Sequence, residues 1–277
     1  MLPETTNNAL PDTLGSSWKS KVFKEYLAER GLFEIPRNPI EIKDYGQWLK
    51  NKGYKPTSIA ALLSPVRELY RAIGIETRKI IKGPKKHLTF LRDPVPTEDV
   101  LKLLKYVKEN CSLRDRLIVE LMAYLGLRDI EISRMDRGDF YKQDDDYILK
   151  LWRKGHEGKD RQKKVTNGLL ATFLEYLNQT QGNPNDPMFM SQKKCRLRPD
   201  TISHIVGNIM KSAGIKNAEN SHRISPHSLR HTVGTIIAKQ TKDVFAVQQM
   251  LDHADVRTSM IYIHNADSPE NLINWEV

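Results

Sequence analysis

His227, Arg230, His231, His253 and Tyr262 lie within about forty residues near the C-terminus, in the runs SPHSLRH, LDH and IYIH. Together they offer a guanidinium, three imidazoles and a phenol. Those groups suit the chemistry of a phosphodiester: a cation to grip it, an oxygen nucleophile to attack it, and imidazoles to move protons. Ser225-Pro226 reads as an N-cap followed by proline in the first helical position. His227 and Arg230 then fall in the first turn, three residues apart on one face. Free backbone N–H groups and the helix dipole favour an anion there, and the guanidinium can fork two phosphate oxygens. The structural alternative is a capped helix whose arginine pairs with a carboxylate. A phenol with a pKa near 10 attacks only where a base or nearby cations favour phenolate. The structural alternative for Tyr262 is a core residue between Ile261 and Ile263.

A metal site competes for the same residues. His227 and His231 stand at i and i+4, as in helical zinc sites. Ser, Leu and Arg lie between them, so no general-base glutamate is present and Arg230 would repel a cation. No metal and no cofactor is expected.

Positioning these groups takes a sizeable fold, and 277 residues suffice for one large domain or two moderate ones. Hydrophobic residues make up 39% and charged residues 28%. No run approaches the roughly 18 apolar residues that span a bilayer, and the N-terminus lacks a basic segment followed by an apolar one. No membrane association is expected, and the predicted location is cytoplasmic, with the nucleoid. Cys111 and Cys195 are too few for a disulfide framework or zinc cage. The net charge is +10, and residues 1–92 carry 17 Lys/Arg against 9 Asp/Glu. Such an excess favours a polyanionic partner.

Residues 1–16 read as a mobile polar tail. Residues 17–76 are helical: Trp18, Val22, Phe23, Tyr26 and Leu27 recur at helical spacing, Asp44–Lys52 forms a second helix stopped by Gly53, and Pro56 opens a third. The basic, Gly/Pro-punctuated stretch 77–96 reads as a linker. Residues 97–265 form a mixed domain. Its predicted helices run from Thr97 towards Asn110, Leu113–Leu125 (ended by Gly126), Ile130–Met135, Leu169–Asn178, Thr201–Ala213, from Ser225, Val244–Leu251 and Arg257–Tyr262. Tyr147–Trp152 alternates as a strand, with a turn over 153–160 and a return strand over Arg161–Thr166. Ser268-Pro269-Glu270 opens a tail helix over 266–277 with Leu272, Ile273 and Trp275 on one side.

At this point the chain resembles a known family. PHSLRH, LDH and the TSMIY run are similar to the C-terminal signature of tyrosine recombinases, the phage-integrase-type site-specific recombinases. Tyr124-Leu125-Gly126-Leu127-Arg128-Asp129-Ile130-Glu131 resembles the box with the first catalytic arginine, and Arg153-Lys154-Gly155 the box with the catalytic lysine. The resemblance implies a mainly α fold with a small β-sheet: an N-terminal helical core-binding domain followed by a mixed α/β catalytic domain. It implies that Arg128 and Arg230 clamp the non-bridging oxygens of the scissile phosphate and His253 adds a hydrogen bond. His227 would pass protons to and from Tyr262, Lys154 would protonate the 5′-hydroxyl, and Tyr262 would form a 3′-phosphotyrosyl link. Lys159, after a glycine on the same turn, competes with Lys154. Glu131 would buttress Arg128. Asp252 stands where the family has glycine, and either weakens local phosphate attraction or pairs with Arg257.

The implied activity is metal- and ATP-independent site-specific recombination at duplex DNA, by a homotetramer on two DNA sites through a Holliday junction. The tail would pack on its own chain or be exchanged between protomers. Xer-like, Cre-like and transposon-resolvase-like enzymes all fit, and accessory DNA-binding proteins are left open. The competing functions are a catalytically decayed DNA-binding regulator on the same fold and a type IB topoisomerase.

Overall fold

The computed structural model describes residues 9–10, 17–84, 92–153, 156–165 and 167–266. The chain divides into two compact units, 1–87 and 88–277. Among the described residues, no helix is long and apolar enough to cross a membrane.

The first unit is built from α1 (Trp18–Glu29), α2 (Tyr45–Asn51) and α3 (Pro56–Ala72). Ser17 caps α1 by accepting from the Ser20 amide. Every member of the α3 stripe, Ile59, Leu62, Leu63, Val66, Leu69 and Tyr70, is buried. Each such side chain contributes roughly 1.5–3 kcal/mol of burial. Tyr26 donates to Asp44 at 2.6 Å, which ties α1 to the start of α2. Two short strands, β1 (Ala9–Leu10) and β2 (Ile35–Pro36), pair antiparallel. Periodicity over two residues carries no signal, so the tail reading of residues 1–16 contained no strand.

The second unit wraps helices around a central α5. It comprises α4 (Thr97–Asn110), α5 (Leu113–Leu125), α6 (Asp129–Ser133), β3 (Phe140–Gln143), β4 (Asp146–Leu151), β5 (Arg161–Lys164), α7 (Asn167–Gln179), α8 (Pro199–Ser212), α9 (Pro226–Thr241), α10 (Val244–Leu251) and α11 (Val256–Ala266). Beyond its charged first turn, α5 is buried on successive positions from Leu117 to Met122, and it packs against α4, α7, α8 and α9, as a helix buried on several sides must. Gly126 stops it in the left-handed conformation at φ +62, which glycine adopts without a Cβ penalty.

The sheet is antiparallel in the order β3-β4-β5. The sequence reading missed β3, whose short run Phe-Tyr-Lys-Gln gives only two alternations. In β5, Arg161, Lys163 and the following Val165 share one face, and Leu149 and Leu151 on β4 are their register partners or neighbours on that buried side. Two cations therefore point inward from an edge strand. The architecture is mainly α with a small sheet, as expected.

Candidate active site

Arg128 follows the Gly126 stop and forms the N-cap residue of α6. Glu131, one turn on, accepts from the Arg128 amide at 2.9 Å and from its guanidinium at 2.7 Å. Glu131 is 2% exposed and the Arg128 side chain 24%. A buried carboxylate thus holds one edge of an arginine whose remainder reaches solvent. Charge-assisted pairing of this kind fixes orientation as well as charge.

Arg230 lies on α9, three residues after His227, and is 2% exposed. Its Nη1 donates to the Gly126 carbonyl at 2.5 Å and its Nη2 to the Leu251 carbonyl. One guanidinium therefore pins the end of α5 to the end of α10. Burial, followed by the nearby Arg128 charge, lowers its pKa to about 10, so it remains a cation near neutrality. The same helix starts as expected, with the Ser228 hydroxyl accepting from the Ser225 amide.

The three imidazoles take different places. His227 is exposed. Although part of the side chain reaches the surface, the protein packed around its ring, and then the Arg230 and Arg128 charges, lower its pKa. His253 follows α10, stacks on Tyr262 at 5.9 Å between ring centres, and shares a 2.8 Å hydrogen bond with the buried Ser259 hydroxyl. Burial and the same two arginines push it down to about 3. The imidazole bonded to Tyr262 is His231, with Nδ1 2.8 Å from the phenol oxygen. From sequence, His231 counts only as one imidazole of the cluster and as a metal candidate, with no role assigned to it towards Tyr262.

Tyr262 is 2% exposed and belongs to a small core with Val233, Ala238, Val247 and Leu251. Burial pushes its phenol up to about 12, although Arg230 and Arg128 pull the other way. Desolvation therefore outweighs the two arginines at this phenol.

The last turn of α10 explains the inward cations of β5. Three successive carbonyls each accept from a cation: Gln249 from Arg161 at 2.8 Å, Met250 from Lys163, and Leu251 from Arg230. Cations suit a helix C-terminus. Asp252 follows in the left-handed conformation at φ 51. Glycine adopts that conformation without penalty, and aspartate is among the few other residues that tolerate it. Its side chain is 4% exposed and pairs with Arg161 at 2.6 Å and Lys163 at 3.4 Å. Arg257 does not fill this role, since it pairs with Asp255 at 2.6 Å. The sequence offered the nearer arginine, whereas the strand supplies the partners. Lys163 is 8% exposed, and burial lowers its pKa against the pull of Asp252.

Lys154 lies outside the described residues. Its rival Lys159 is held by Asp136 at 2.5 Å and Asp139 at 2.7 Å. Burial opposes its charge, yet the hydrogen bonds to these carboxylates prevail and raise its pKa. Among the described residues, no cluster of three His, Cys, Asp or Glu side chains could hold a metal ion.

Residues 95–268 match the Phage integrase family. Tyrosine recombinase XerH of Campylobacter jejuni is 29% identical over 195 residues, 69% of this chain but only 51% of that protein, so the chain spans about half its length. Tyrosine recombinase XerA of Pyrococcus furiosus is 29% identical over 244 residues, covering 82% of this chain and 80% of that protein. The crystal structure of XerH bound to palindromic difH substrate, a post-cleavage complex, superposes with a TM-score of 0.68 at 20% identity, over 90% of this chain and 75% of that one. Arg128, His227, Arg230, His253 and Tyr262 all fall inside the matched span, on the fold those structures share. The chain belongs to the phage integrase family, the tyrosine recombinases.

Proposed function

We propose that this chain is a site-specific DNA recombinase that cleaves and rejoins duplex DNA through a 3′-phosphotyrosyl intermediate. The observation that carries the reading is the convergence of two arginines from distant elements, Arg128 and Arg230, beside a tyrosine ringed by imidazoles. Arg230 is braced by two backbone carbonyls and Arg128 by a buried glutamate, so both arginines are oriented before substrate arrives. Donors fixed in advance where charge develops are an effective form of transition-state stabilisation.

In this reading Arg128 and Arg230 hold the non-bridging oxygens of the scissile phosphate, and His253 adds a hydrogen bond. Tyr262 Oη forms the new bond to phosphorus as the bond from phosphorus to O5′ breaks. The phenol proton passes to an imidazole, with His227 the family's candidate. Lys154 delivers a proton to the departing 5′-oxygen. Because the phosphodiester energy is kept in the tyrosyl link, attack by a 5′-hydroxyl reverses the step without ATP. The arginines supply the positive charge that a metal would otherwise bring. The XerH relative was solved on its difH DNA. Duplex DNA is the inferred partner here too, bound by a homotetramer that exchanges strands through a Holliday junction. The domain division expected from sequence, with a core-binding region over 17–76 and a catalytic region over 97–265, belongs to the same proposal, as does action on the nucleoid in the cytoplasm.

The test is a nicked, end-labelled suicide substrate carrying the recombination site, incubated with EDTA and without ATP. A covalent protein–DNA adduct is expected. No adduct from wild-type protein would refute the enzymatic reading, and dependence on added metal would refute the mechanism.

A further inference from the structure

The Tyr262 ring is held from three directions. Gly234 lies against it: a Cβ at that position would stand 2.5 Å from Tyr262 Cε1 and 2.8 Å from Cδ1. His253 stacks on it with ring planes 23° apart. His231 Nδ1 meets its oxygen at 2.8 Å. His231 and Gly234 are i and i+3 on α9, so one helix face supplies both the floor under the ring and the acceptor at its tip. His227 sits four residues before His231 and meets that ring edge to face at 4.8 Å.

From this geometry we infer that His231 is the positioning partner of the nucleophile, its Nδ1 accepting from Tyr262 Oη and fixing the direction of the phenol. The inference rests on the reading of Tyr262 as nucleophile given above. Burial, His227 and Arg230 hold the His231 pKa at about 4. Its ring is therefore neutral near pH 7 and keeps one lone pair for the phenol. Tyr262, at about 12, keeps its proton at rest. The bond thus orients the oxygen rather than ionising it.

Cleavage of the nicked substrate tests this at saturating DNA, with affinity measured separately. His231→Ala is expected to slow adduct formation about 100-fold while DNA affinity stays within about twofold, as for a misdirected reacting group. His231→Asn places an acceptor where Nδ1 stands and is expected to restore most of the rate, whereas His231→Gln, which extends further, is not. A substrate with sulfur bridging at the 5′ position needs no proton on its leaving group, so it leaves the defect in place. Wild-type cleavage by His231→Ala, rescue by the bridging sulfur, or equal rates for Asn and Gln would each overturn the inference. If His231→Ala fails to fold, the Asn and Gln comparison decides. Tyr262→Phe run in parallel separates the two readings: an adduct from that variant sinks the nucleophile assignment itself.

Discussion

The Asp252 Oδ1 atom lies 2.6 Å from Arg161 Nε, joining the turn that carries His253 to the strand β5. Lys163, two residues along that strand, completes the cluster. A glycine here would supply the left-handed turn and nothing more. This chain keeps the turn with aspartate and adds a charge that answers two inward cations.

Asp252→Asn separates these contributions, because asparagine also tolerates the left-handed conformation. It leaves Lys163 buried without its counter-charge and is expected to destabilise the fold by about 3 kcal/mol in urea unfolding. The double variant Asp252→Asn, Lys163→Met is expected to recover part of that loss, since replacing both partners of a buried pair is often nearly neutral. A double variant no more stable than Asp252→Asn would contradict the pairing.

Much of this fold was legible in the sequence. Leu113–Leu125 matched a helix without change, because an apolar run ended by glycine has few other solutions. The capped start at Ser225-Pro226 was equally plain. Arg128, Arg230, His253 and Tyr262 could be singled out as candidates because motif spacing marks them. What stayed hidden is long-range. The carbonyls that hold Arg230 are 104 and 21 residues away, and no local pattern names a carbonyl. His231 was visible as a second imidazole, but its partner lies on another helix. The Arg161-x-Lys163-x-Val165 alternation puts two cations on one face of the return strand, but their partners lie about 90 residues on, at the end of α10.

The two candidate lysines separate by leaving-group chemistry. Lys154→Ala is expected to cut adduct formation by about 100-fold or more, with the loss recovered on a 5′-bridging sulfur substrate. Lys159→Ala removes the ion pairs to Asp136 and Asp139 and is expected to lower the melting temperature while leaving the cleavage rate nearly unchanged. The opposite pattern would move the general acid to Lys159.

Gly234→Ala puts a methyl group into the space of the Tyr262 ring. Overpacking of this kind costs about 1–3 kcal/mol. A displacement of the phenol by about 1 Å is expected to slow cleavage about 100-fold, with DNA affinity retained. Wild-type cleavage by a folded Gly234→Ala protein would mean that the ring reacts from another position.

Stability is expected to fall on mild acidification. His231 and His253 have folded pKa values of about 4 and about 3, below the ordinary 6.5. Between those values and 6.5 the unfolded chain binds protons that the folded chain refuses. Their contribution is therefore intact above pH 6.5 and is lost as pH falls through the folded values. Urea unfolding at pH 7 and pH 5 should differ by about 1–2 kcal/mol after solvent screening is allowed for. His231→Asn with His253→Asn should flatten that slope, and an unchanged slope would assign it to other groups.

The central claim is that Tyr262 becomes covalently joined to DNA. The direct measurement is mass spectrometry of the nuclease-trimmed, protease-digested adduct from a suicide substrate. The account predicts a 3′-phosphonucleotide on the peptide containing Tyr262, and no adduct from Tyr262→Phe. A modification on any other residue, or an adduct surviving in Tyr262→Phe, would contradict it.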